Sequence, residues 1–283
     1  MLNKNLREEA INNLKRQQKE YEQQNNNLIK DAEKLFEVRI VFKSTIDESW
    51  DFVNSFRNKP ADLDTELKAI KVETKKFANL VDNLELEIEK ANIASGGTAA
   101  SGVAAGVGVA AFGPTAAMAI ATTFGTASTG TAIATLSGAA ATNAALAWLG
   151  GGALVAGGGG TAAGSALLGL AGPIGWAIGG GALVTAGLLK SGKNKKIAEQ
   201  ANSEAAKIRK YVTVIKGTRK EIGEIASTSF TTKELLSTML IHCKSFQGDY
   251  KQLSTEEKQR LGALVNNIKA GTELLNRTVG ANA

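Results

Sequence analysis

The residues whose types and spacing could do chemistry fall into three small groups. Gly187-Leu-Leu-Lys-Ser-Gly192-Lys193-Asn194 comes within one residue of a phosphate-binding loop. Such a loop cradles phosphates on backbone N–H groups, reaches them with its lysine and holds magnesium on a final Ser or Thr hydroxyl. Here Asn194 takes that last position, no strand pattern precedes the motif and no acidic strand end follows it, so nucleotide binding is not expected. Gly106-Val-Gly108 likewise lacks the βαβ surroundings of a dinucleotide site. His242, the only histidine, adjoins Cys243, the only cysteine. Neighbours on a helix point about 100° apart, so the two do not face each other as a nucleophile and its base must. One Cys and one His are too few for a typical zinc site, and one Cys cannot close a disulfide within the chain. Asp62 and Asp64 are a carboxylate pair, but they lie among many other charges and read as a solvated helix face. The expectation is a protein without enzymatic activity, cofactor, metal or small-molecule substrate.

The elements that carry these residues are helical by composition. The 283 residues include three prolines and 5% aromatics, while Ala, Lys, Glu, Leu and Asn fill the flanks. That mix favours helix over strand. Of the 31 glycines, 24 lie between Ala91 and Leu189. The chain divides into three blocks: a helical part over 1–90, a hydrophobic segment over 91–189 and a second helical part over 190–283. The first block carries 16 basic and 18 acidic side chains, the last 17 basic and 9 acidic, so the positive charge follows the middle block. The N-terminal MLNKNLREEA has no apolar core of a secretory signal, which predicts synthesis in the cytoplasm without one.

In the first block Leu63, Leu67, Ile70, Phe77, Val81, Leu84 and Ile88 recur at steps of three and four, with Thr74 in the gap. This is the seam of a helix in a bundle or coiled coil. An earlier helix is predicted over about residues 3–57, with Leu28, Leu35, Phe42, Ile46, Trp50, Val53 and Phe56 on one side. Asn58-Lys59-Pro60 breaks the pattern, because proline lacks an N–H and keeps its predecessor out of the α region. Two antiparallel helices joined near Pro60 follow. In the last block Ile197, Ala201, Ala205, Ile208, Val212, Ile215, Ile222 and Ile225 mark another long helix. Thr231-Thr232-Lys233-Glu234 and Ser254-Thr255-Glu256-Glu257 both fit a capping box and predict the starts of two shorter helices.

The middle block is of another kind. From Ala91 to Leu189 there are 99 residues without one Asp, Glu, Lys, Arg or His, where soluble chains carry about a quarter charged residues. A span needs about 20 apolar residues. Val103–Phe124, Thr131–Leu149 and Ala166–Leu189 reach that length, but only the last is rich in strong hydrophobes, with six leucines, two isoleucines and one valine. Each such residue favours insertion by only about 0.3–0.6 kcal/mol. These are marginal spans, which fits a segment shielded in one state and inserted in another. Gly113-Pro114, next to Phe112, and Gly172-Pro173 are expected kinks or loop tips. Gly150 to Gly152 and Gly157 to Gly160 mark a turn between two arms. Trp148 and Trp176 suit interface depth, and Leu168 and Ile178 lie near the centre of the strongest span. The small-xxx-small pairs Gly102/Gly106, Gly160/Gly164 and Gly175/Gly179 would let helices approach closely in lipid. Lys190, Lys193, Lys195 and Lys196 put four cations in seven residues after that span, as an anchor for anionic headgroups does. They are not interleaved with aromatics, so nucleic acid is not the expected partner.

Long amphipathic helices, an uncharged hairpin-like insert over Ala91–Leu189 and more long helices together resemble the α-helical pore-forming toxins of the cytolysin A type. The resemblance is one of segment order over the whole chain, not of a diagnostic motif. It implies an all-α fold: an elongated bundle of long amphipathic helices with a Gly/Ala-rich hydrophobic helical hairpin insert. It also implies that the insert swings out into a membrane and that subunits assemble into a homo-oligomer or with related helical subunits. The insert is much longer than a simple tongue. The reading is a pore-forming or membrane-permeabilising protein that switches from a soluble bundle to a membrane-inserted oligomer, at the cell membrane of self or target. The alternative is a membrane-anchored coiled-coil scaffold that binds partner proteins.

Overall fold

The computed structural model describes residues 4–94 and 194–279 and, between them, 121–122, 125, 127, 131–136, 140–141 and 143–145. Four long helices are defined among these: α1, Lys4–Asn54; α2, Ala61–Ala94; α3, Asn194–Cys243; and α4, Thr255–Leu275. Two isolated bridges are the nearest approach to strand pairing among the described residues, so the fold is all-α.

The break between α1 and α2 falls where Pro60 places it. Lys59 Nζ donates to the carbonyls of Asn54 and Phe56 at 2.8 and 2.6 Å, which satisfies orphan acceptors at the end of α1. Asn58 takes a positive φ of 55° to turn the chain. Asp62 and Asp64 then sit in the first turn of α2, where the helix dipole favours anions.

The last block departs from expectation in one place. No helix starts at Thr231: α3 runs unbroken from Asn194 to Cys243. Thr231 and Thr232 donate their hydroxyls to the carbonyls four residues back, those of Ser227 and Thr228, instead of capping. The buried register of Ile222, Ile225, Leu236, Leu240 and Cys243 carries the helix through. Ser254 does cap: its hydroxyl accepts from Glu257 N–H, and the Glu257 carboxylate accepts from Ser254 N–H at 2.8 Å.

The chain forms two compact units. One comprises Lys34–Val107 and Ile222–Arg277. All four helices contribute to its core, with Phe42, Ile46 and Val53 from α1, Leu67, Ile70 and Phe77 from α2, Leu236 and Leu240 from α3, and Leu261, Leu264 and Ile268 from α4. Trp50 Nε1 donates to the Leu67 carbonyl at 2.8 Å and Lys71 pairs with Asp47, so α2 runs antiparallel to α1. The Phe42 ring lies beside Gly271, where an added Cβ would come within 3.0 Å of it, and Arg39 donates to the Arg277 carbonyl. Hence α4 also runs antiparallel to α1. Leu236 meets the same glycine, and Lys244 pairs with Glu48 at 2.8 Å, which makes α3 parallel to α1. At one end of this core the two connecting loops bond to each other. Arg57 N–H donates to the Gly248 carbonyl at 2.9 Å and Tyr250 N–H to the Arg57 carbonyl at 3.0 Å. Burial, and after it the charge of Arg277, pull the Arg39 guanidinium down to about 9.

The other unit comprises Met1–Glu33, Gly108–Glu221 and Thr278–Ala283. One cluster of its described core sets Ala10 and Leu14 of α1 against Ala198, Ala201 and Ala205 of α3, and Tyr21, Leu28, Ile197, Val212 and Ile215 are buried as well. The pairing here is parallel. Arg7 donates to Asn194, Lys216 pairs with Glu20 at 2.7 Å, and Arg219 donates to Asp31 and Gln24.

Candidate functional site

The uncharged segment leaves α2 after Ala94 and rejoins the described helices at Asn194. Its described pieces are only partly covered, with Thr131, Thr135, Ala140 and Asn143 exposed. Ala121, Ile133 and Ala145 are wholly covered, and Gly125 forms a parallel bridge with Val279. Gly125 and Ile133 close a small loop: Ile133 N–H donates to the Gly125 carbonyl at 3.0 Å, and Ala127 N–H to that of Thr131 at 2.8 Å. A short 3₁₀ turn, Ile133–Thr135, follows. The stretch Thr131–Leu149 therefore opens on a turn and not on α-helix in this state. Thr135 holds that turn by donating its hydroxyl to the Ala132 carbonyl at 2.8 Å.

Of the residues singled out in the sequence, Phe112, Gly113, Pro114, Trp148, Leu168, Gly172, Pro173, Trp176 and Ile178 lie outside the described residues. So do Gly102, Gly106, Gly160, Gly164, Gly175, Gly179, Lys190 and Lys193. Lys195 and Lys196 are described. Both are exposed on the first turn of α3, beside the buried Ile197 and Ala198. Lys195 reaches Glu199 only at 4.0 Å. A helix N-terminus carries partial positive charge and disfavours cations by some tenths of a kcal/mol each. The first turn of α3 has no acidic residue. The helix dipole thus does not favour lysines here, and the weak, exposed Lys195–Glu199 pair offsets little of that. No family model, curated protein or solved structure matches this chain.

Among the described residues no helix is long and apolar enough to cross a membrane. Any spanning in the reading below is accordingly assigned to 91–189. His242 and Cys243 are set apart as their adjacency requires: His242 is exposed and Cys243 is buried. Burial pushes the Cys243 thiol up, against a smaller downward pull from Arg260. Among the described residues no group of three or more His, Cys, Asp or Glu is placed to hold a metal.

Local periodicity could not reveal the parallel pairing of α1 with α3, whose partners stand 187 to 196 positions apart. The fork of Arg219 onto Asp31 and Gln24 belongs to this pairing. The sequence signal was present only as unassigned polar residues on the exposed flank of an apolar stripe.

Proposed function

We propose that this protein permeabilises membranes: a helical bundle shields the uncharged segment Ala91–Leu189 in one state and releases it into lipid in another. In this reading the bundle is elongated, the segment forms a helical hairpin insert, and several copies assemble at the membrane, as in toxins of the cytolysin A type. Lys190, Lys193, Lys195 and Lys196 meet anionic headgroups. Gly102, Gly106, Gly160, Gly164, Gly175 and Gly179 pack helices in the inserted form.

One observation carries the reading. A 99-residue run without a charged side chain is flanked by helices that bury a core of their own, and Ala121, Ile133 and Ala145 within it are themselves wholly covered. A segment covered by protein needs no charge for solubility, and one that enters lipid cannot bear much. A charge at a span centre costs about 2.5–3.5 kcal/mol on insertion scales.

Dye release from phosphatidylcholine–phosphatidylglycerol vesicles tests it. The native chain is expected to empty the vesicles, and Leu168→Asp or Ile178→Asp to reduce leakage by at least about tenfold, the effect of 1.4 kcal/mol, with the helical circular dichroism retained. Vesicles that stay intact at every pH and lipid charge tried would sink the proposal. Undiminished leakage in both variants would remove Ala166–Leu189 from the inserted region.

A further inference from the structure

Between α2 and α4 runs an open groove of about 660 Å³. Ala69, Ile70 and Val72 give it an apolar lining, and Val72 is 59% exposed. The α2 wall carries Asp62, Glu66 and Glu73, and the α4 wall adds Glu273 and the cation Lys269, so carboxylates still outnumber cations in the lining. Of these only Glu73 has an ion pair, with Lys76 three residues on, and that pair is solvent-exposed and weak. An apolar floor beneath carboxylates is a seat for a helix with a small-residue ridge and cationic flanks.

This chain presents such a helix face elsewhere. On α3, Ala206, Arg209, Lys210, Thr213, Lys216, Gly217 and Lys220 are all exposed and share one side at helical spacing. Ala206, Thr213 and Gly217 form the low ridge, and an added Cβ at Gly217 would meet nothing within 4 Å. No acidic residue stands between Ala205 and Lys220. The spacings also match. Asp62, Glu66 and Glu73 stand at steps of 4 and 7, and Arg209, Lys216 and Lys220 at steps of 7 and 4. Laid antiparallel, Glu73 meets Arg209, Glu66 meets Lys216 and Asp62 meets Lys220 along about 16 Å of helix. The bond from Lys216 to Glu20 lies between two half-exposed side chains and can be exchanged at little cost, and the interaction that Lys220 makes within its own chain is exchanged with it.

We infer that the α2–α4 groove of one copy receives the basic face of α3, residues 206–220, from a second copy. The contact joins different surfaces of the two copies, so it propagates head to tail and closes into a ring or runs on as a filament. The inference supplies the contact for the assembly in the proposed function and in that sense rests on it.

Charge reversal tests the register. Sedimentation of the full-length chain, and cross-linking on phosphatidylcholine–phosphatidylglycerol vesicles, are expected to show self-association that weakens with salt. Glu66→Lys and Lys216→Glu should each weaken it by roughly tenfold or more. The double variant E66K/K216E should regain it, which a misfolded single variant could not mimic. An equimolar mixture of the two single variants should also regain it, because Glu66 meets Lys216 at one contact and the two reversed side chains pair at the next. A native chain that stays monomeric in solution and on vesicles, or assembly indifferent to both reversals, overturns the inference. Dye release keeps the two readings apart. Leakage without charge-dependent assembly removes the docking and leaves membrane action, and charge-dependent assembly without leakage does the reverse.

Discussion

Cys243 turns inward near the end of α3 and is 1% exposed, within the four-helix core. Its neutral thiol behaves there as a small apolar group. Burial raises its pKa in the folded chain, with Arg260 opposing weakly. A thiol raised on folding stabilises the fold below its unfolded pKa, about 8.5, and that contribution is lost as pH climbs toward the folded value. Cys243→Ala is therefore expected to cost about 1 kcal/mol at neutral pH, with the gap to the native chain narrowing above about pH 8.5. Urea midpoints of both chains between pH 7 and 10 check the sign, and a gap that widens with pH would refute it. Arg39, 2% exposed, is the opposite case, a charge held in the same core. Its burial costs stability that hydrogen bonding to the Arg277 carbonyl only partly offsets.

At the scale of elements, two identical local patterns had different fates. Thr231 to Glu234 and Ser254 to Glu257 both spell a capping box, but only the second starts a helix. What separates them is what lies upstream. Before Ser254 the chain has already left α3 and passed Gly248, Asp249 and a 3₁₀ turn, Tyr250–Gln252. Before Thr231 the apolar register is intact and no Gly or Pro interrupts the last seven residues. Ser254→Ala should lower stability by about 1 kcal/mol, whereas Thr231→Ala should change it by less than about 0.5 kcal/mol. The Ser254 bonds hold the Glu257 carboxyl below its ordinary range. The stabilisation they give is thus present above that range and lost as pH falls through the depressed value. Chemical denaturation of the two variants at pH 7 and pH 3.5 separates these effects, and equal losses in both would contradict them. Helix positions were legible because burial follows a 3.6-residue period, as Leu67, Ile70 and Phe77 or Ile197, Ala201 and Ala205 show. Pairing was not legible, because a period says which side is apolar and never which helix covers it. Of the candidate site only Lys195 and Lys196 are placed, and what the sequence could not foresee is their position at the dipole's disfavoured end.

For the molecule as a whole, the two units have cores of different quality. Phe42, Phe77, Ile46 and Leu264 fill one in a single large cluster, while the other has a small cluster of Ala10, Leu14, Ala198, Ala201 and Ala205, with Tyr21, Leu28, Val212 and Ile215 buried outside it. Burial of a large apolar side chain contributes about 1.5–3 kcal/mol and that of an alanine methyl well under half as much. Buried polar atoms without a hydrogen-bond partner occur in both units, Arg7 Nε and Gln17 Oε1 in one and Ser229 Oγ in the other, and do not separate them. In hydrogen exchange, amides of 4–33 and 194–221 should be protected at least about tenfold less than those of 34–54 and 222–243, the equivalent of 1.4 kcal/mol. Uniform protection along α1 and α3 would rule out such a gradient. The bridge from Gly125 to Val279 has a consequence of a different kind, one of timing. A ribosome adding about 5–20 residues per second needs roughly 8–31 s to travel from the first of these residues to the second. Throughout that interval Gly125 has been made and the residue that receives it has not. The bridge therefore closes only late in synthesis, after the whole uncharged stretch has been made.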